Sequence, residues 1–170
     1  MLLRTNSQGR PVVKAAVVRD FDQGPRYDSF ELPSNQGDLV VDVLAAALSP
    51  RARSGASGTH YASKAALPLV PGIDGVGRLP SGQRVYFLGA NDGVGTMAER
   101  AVAEPRLTVP LPERVSSSTI AAGMLLAISS WVGLTKRAPL QPGQSVLVLG
   151  ATGPLASWRS RSPNISALEP

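Results

Sequence analysis

Cysteine is absent from the sequence and histidine occurs once, at His60. The first absence excludes a disulfide framework and any thiolate zinc site. The second excludes a histidine metal triad, and any Ser-His-Asp arrangement would have to run through His60. Aromatic residues make up only 5%, and charged residues, at 17%, fall below the ~25% of an ordinary soluble domain. Lys and Arg outnumber Asp and Glu by 17 to 12, a net charge of +5, but no basic run exceeds two residues. A basic balance without clustering argues against a nucleic-acid partner and suits a modest surface imbalance or an anionic ligand such as a dinucleotide. Residues 1–10 hold two leucines before Arg4 and no apolar run, so a secretory signal is not expected there.

Glycine and proline are plentiful, 17 and 15 of the 170 residues, and 43% of the chain is hydrophobic. That is the composition of a turn-rich globular protein, enough for one ordinary domain and thin for two. Residues 1–9 read as a frayed leader and residues 12–18 as a first strand. Residues 20–37 are polar and turn-rich, with Phe30 and Leu32 at a period of two, and residues 39–48 open on a strand that Pro50 stops. Residues 51–69 read as a loop, and Gly72, Gly75 and Gly77 follow as structural glycines around Asp74, which reads as a turn residue. Residues 83–88, 97–102 and 107–109 read as further short extended pieces, so residues 12–111 form a β-barrel or sandwich.

The character changes at Pro112. Residues 117–135 are helical in propensity, with an N-cap among Ser116, Ser117 and Ser118. The uncharged stretch 115–134 is long enough for a membrane span, but its five serines, one threonine and two glycines favour a buried helix of a soluble protein. No membrane partner and a cytoplasmic location are therefore expected. Residues 145–149 read as a strand buried on both faces, running directly into Gly150-Ala151-Thr152-Gly153. A strand that enters a glycine turn is how a dinucleotide fold opens, because the turn brings backbone amides to a pyrophosphate.

The order of these pieces resembles the medium-chain dehydrogenase/reductase superfamily, in its zinc-independent NADPH:quinone oxidoreductase branch. The matching segments are KAAVV at 14–18, DLVVDVLAAALSP at 38–50, SGTHY at 57–61, LPLVPGIDGVG at 67–77 and SGQRVYF at 81–87. GTMAERAV at 95–102, LPERVSSSTIAAG at 111–123, SSWVGL at 129–134 and LQPGQSVLVLGATG at 140–153 complete the series. The resemblance implies a fold that is mostly β with some α, a GroES-like β-barrel over residues 1–116 followed by the incomplete start of a Rossmann domain over residues 117–153. It implies hydride transfer from NADPH to a quinone or activated enone, without zinc or another metal, and a homodimer in full-length members. The alternative is a non-catalytic GroES-like binding or interaction module.

By the same resemblance Tyr61 lies near the substrate, where it could stack on a quinone or donate a proton to the reduced oxygen. A surface tyrosine is the plain alternative. Ser49 stands where relatives carry an Asn near the nicotinamide, and Ser129-Ser130-Trp131 stands for a Thr-Ala-Trp motif, in which Ser130 could reach the nicotinamide ribose or amide, with helix packing as the plain alternative. Gly150, Thr152 and Gly153 are the expected phosphate contacts. Arg51 and Arg53 could meet a cofactor phosphate, although a loop charge is the default.

After Gly153 the pattern ends. Ala156 stands where the last fingerprint glycine belongs, and residues 154–170 contain four serines, three prolines and no glycine. Back-translated with G/C-rich codons and re-read from the third base of codon 154, this tail becomes AGKLAVQIAQHLGAGA, the helix the family carries at that point. Residues 154–170 are thus expected to be an out-of-frame, disordered tail, and the chain as written to be truncated and inactive or nearly so.

Overall fold

The computed structural model describes residues 4–147 except 6, 8, 34–38, 62–65, 90–93, 139 and 142. The chain divides into two compact units, Met1–Ala122 and Gly123–Pro170. The first unit holds seven strands: β1 (Arg4–Thr5), β2 (Pro11–Val18), β3 (Pro25–Glu31), β4 (Leu39–Ala46), β5 (Asp74–Arg78), β6 (Arg84–Gly89) and β7 (Arg100–Pro110). Helix α1 (Pro50–Ala56) lies between β4 and β5, and α2 (Ser117–Val132) begins in the first unit and continues into the second.

Strands β4-β5-β6-β7 close into a barrel, every pair antiparallel, with β7 returning to β4 through Val41↔Ala101 and Asp42↔Arg100. Alternation decides what faces in. Val41, Val85, Phe87, Ala101 and Ala103 are buried as one cluster, flanked by Leu39, Val43 and Leu79. Closure sets a tight limit at Gly77 in β5, where a Cβ would stand 2.7 Å from the Asp42 carbonyl oxygen and run into the Val41 side chain. Only glycine fits that approach.

A three-stranded antiparallel sheet, β1-β2-β3, packs on the barrel unit. Its central strand β2 is tied in by backbone bonds, with Ala16 N donating to Met97 O at 2.9 Å and Val18 N to Leu69 O at 2.8 Å. Val13 packs with Leu32 and Val102, and Ala15 and Val17 pack with Val70.

The expected barrel is present, with five differences in detail. The leader contains β1, paired through Arg4↔Val12. The polar segment after residue 20 contains β3, and the two short pieces around residues 100–109 form one strand, β7. The loop expected from residue 51 begins with a helix, because Ser49 caps it and Pro50 occupies its first turn. Asp74 belongs to strand β5 rather than to a turn. Gly75 and Gly77 answer to the close approach of β4, whereas Gly72, at φ +107°, lies against Thr96.

Helix α2 forms where expected and ends in a π-helical turn at Gly133–Arg137. Its burial differs from expectation. Among the described residues of α2 only Ala121 and Ser130 are buried. The segment Ser117–Arg137 is long and apolar enough to cross a membrane by length and composition alone. Its small and apolar residues surround the helix and do not form one stripe, so no single face marks itself for burial. Residues 145–147 of the expected Rossmann strand lie outside any strand and are exposed, Leu147 at 84%. An isolated apolar run gains nothing from extension without a neighbouring strand to bond.

Candidate functional site

The sequence-derived site residues fall into three places. Ser49 and Tyr61 lie in the first unit, on either side of α1. Ser130 lies in the second unit. Gly150, Thr152 and Gly153 lie outside the described residues.

Ser49 follows the end of β4 and turns the chain. Its backbone is extended, at φ −78° and ψ 160°, and its Oγ accepts from Ala52 N at 3.1 Å. The hydroxyl is therefore an N-cap first. One lone pair is committed, while its proton and second lone pair remain for another partner. Leu48, immediately before it, is 70% exposed. Arg51 and Arg53 are exposed and lie on α1 rather than in a loop.

The exit from α1 is wound tightly. Ser57 N donates to Arg53 O at 3.1 Å, and Thr59 N and His60 N both donate to Ser54 O, at 3.0 and 3.2 Å. The Ser57 and Thr59 hydroxyls stand 2.9 Å apart. Gly58, at φ +69°, lies against the Phe21 ring so closely that a Cβ would meet it at 3.0 Å. This knot ends in two rings. His60 and Tyr61 stack with centroids 4.7 Å apart and planes 25° from parallel. Tyr61 is 97% exposed, so the structure puts it at the surface with one ring face on His60.

In the second unit, Ser129 Oγ bonds back to Leu125 O at 3.0 Å, the usual use of a helical serine. Ser130 differs: it is buried, and its Oγ has no hydrogen-bond partner among the described residues. Among the described residues, no three His, Asp or Glu side chains gather into a cluster that could hold a metal ion.

Two polar features in the barrel escaped the sequence reading. Asp74 is fully buried, and its Oδ2 accepts from the Tyr86 hydroxyl at 3.0 Å, while its Oδ1 is unpartnered. Burial holds the Asp74 carboxyl above the usual carboxylate range, against the Tyr86 hydrogen bond, which lowers it. The Tyr86 phenol is pushed up in turn, first by burial and then by the Asp74 charge. The second feature is Arg84, a buried cation in an otherwise apolar strand, RVYFLG. A charge interrupting such a run is the signal that could have marked it.

No family profile matches the chain. Among curated proteins it is 35% identical over 103 residues to a quinone oxidoreductase-like protein 2 homolog of Nematostella vectensis, covering 56% of this chain and 28% of that protein. It is 30% identical over 160 residues to a quinone oxidoreductase of Rattus norvegicus, covering 85% and 47%. An NADPH-dependent alkenal/one oxidoreductase of Arabidopsis thaliana is 29% identical over 168 residues, covering 85% and 42%. Among solved structures, a quinone oxidoreductase from Thermus thermophilus, described with its NADPH complex, superposes with a TM-score of 0.67 at 28% identity over 85% of this chain and 47% of that one. The chain thus spans less than half the length of these relatives. A closed barrel, a capped turn of helix after its first strand and sequence identity carried through both units agree on one assignment. The chain belongs to the medium-chain dehydrogenase/reductase superfamily, among its quinone oxidoreductase-like members.

Proposed function

We propose that this chain is the acceptor-binding barrel and the opening part of the nucleotide domain of an NADPH-dependent oxidoreductase that delivers hydride to a quinone or an activated enone. The observation that supports it most is the identity to the rat quinone oxidoreductase and the Arabidopsis alkenal/one oxidoreductase, each running through 85% of the chain. Bound NADPH would supply the hydride, and the protein's share is to bind and orient. Two described hydroxyls fit that share. Ser130 Oγ is a buried polar atom still lacking a partner, and Ser49 keeps a proton and a lone pair beyond its capping bond. Gly150, Thr152 and Gly153 would carry the pyrophosphate on backbone amides.

Tyr61, stacked on His60 and open to solvent, would meet the acceptor as a flat apolar surface with a phenolic proton at its rim. With no cysteine and one histidine, the chain is read as working without zinc, and as a cytoplasmic protein acting on a small molecule. Saturation-transfer NMR of a 1,4-naphthoquinone in the presence of the chain tests the acceptor site. Transfer to the quinone ring protons that is lost in Tyr61→Ala is expected. A folded chain that gives equal transfer in both forms removes Tyr61 from the site, and one that gives none leaves a binding module of another kind.

A further inference from the structure

Arg84 sits at the start of β6 with 7% of its surface exposed. Its guanidinium is turned toward the segment by which the chain leaves the barrel. Nη2 donates to the carbonyls of Pro112 and Val115, and Nη1 donates to Ser117 Oγ at 3.4 Å. Its own carbonyl accepts from Leu111 N at 2.9 Å. Glu113 Oε2 stands 4.0 Å from Nε, while the other oxygen of that exposed carboxylate lies 3.6 Å from Arg78 Nη1. Among the described residues, all the partners of the Arg84 side chain therefore lie within residues 112–117, the connector between β7 and α2. The helix that starts at the end of this connector runs on across the division between the two units at residues 122 and 123.

A guanidinium buried without a carboxylate in hydrogen-bonding contact depends on its neutral acceptors, and loses them together if the connector lifts. We propose that Arg84 is a latch on that connector. It holds residues 112–117 against the barrel and so fixes the point from which α2 leaves the first unit, and releasing it frees the connector without unfolding the barrel. The planar fork is essential, because two carbonyls and a hydroxyl must be met at once. A lysine, with one compact head, cannot serve all three.

Arg114 lies inside the latched segment and is exposed, so trypsin reports on the latch directly. In Arg84→Met, cleavage after Arg114 is expected to quicken about tenfold, and less in Arg84→Lys, while cleavage after Arg106 on β7 keeps its wild-type rate. An unchanged rate after Arg114 overturns the latch. A rise at both sites overturns it as a local device, since the barrel itself would then be opening. Should Arg84→Met fail to fold, Ser117→Ala removes one acceptor and leaves the arginine in place. Amide exchange over residues 113–120 is then expected to be faster, with the barrel strands unaltered. Exchange equal to wild type there speaks against the proposal.

Discussion

Replacing Tyr86 by Phe removes one buried oxygen atom from the first unit and takes away the hydroxyl that donates to Asp74 Oδ2 at 3.0 Å. Both residues are buried, and Asp74 Oδ1 already lacks a partner, so the variant strands the whole carboxyl group. A hydrogen bond to a charged group contributes about 1.5–3 kcal/mol, and a neutral one about 0.5–1.5 kcal/mol. The cost of Tyr86→Phe should therefore depend on pH. Burial raises the Asp74 carboxyl in the folded state. The native state then binds the proton more tightly than the unfolded chain, and stability falls as pH rises through the folded pKa. Where Asp74 is ionised, the loss is expected near the upper range, and in acid near the lower. Urea unfolding of wild type, Tyr86→Phe, Asp74→Asn and the double variant across that range closes a cycle. A pH-independent loss below about 0.5 kcal/mol, or a coupling of zero, would refute the reasoning.

Asp74→Asn alone should remove the downward slope of stability with rising pH attributed to this carboxyl, seen as thermal midpoints that no longer fall across that interval. Ser49→Ala should cost about 1 kcal/mol through loss of the α1 cap, with faster amide exchange at Ala52 as the local signature, whereas Ser49→Asp should restore both. Gly77→Ala should destabilise by roughly 1–3 kcal/mol, because its Cβ has no room against β4, and the urea midpoint reads this directly. Tyr61→Ala, at a fully solvated position, should leave stability within about 0.5 kcal/mol, so any loss of quinone binding reports on contact and not on folding.

The barrel was legible where period and composition agree. In β4, the run LVVDVLAA carries its strand signal on its face, and in β6 the run RVYFLG follows directly on the Pro80-Ser81-Gly82 turn. Helix α1 was missed although Ser49-Pro50 is a cap followed by a first-turn proline, because Ser54 and Gly55 dilute the propensity of so short a segment. Asp74 was misplaced for a different reason. Glycines on either side of it usually mark a turn, and no local signal tells that from glycines demanded by a facing strand. The Arg84 contacts join residues about thirty positions apart, and such pairings are invisible to windows of local sequence. The expected strand at residues 145–149 shows the converse. Its apolar run is a real preference, but a β-strand is completed by its neighbours, and residues 145–147 pair with no strand among the described residues. Of the expected site, the structure sets Ser49 and Tyr61 on either side of α1, and the capping bond of Ser49 to Ala52 has no part in the reading of Ser49 as a cofactor contact.

Titrating NADPH against the chain while following nicotinamide fluorescence tests the proposed NADPH-dependent role. Saturable enhancement with a midpoint on the order of micromolar, weakened by Ser130→Val, is expected. A chain that keeps its barrel, shown by an intact near-ultraviolet signal from Tyr86, and leaves NADPH fluorescence unchanged to millimolar concentration would contradict that role.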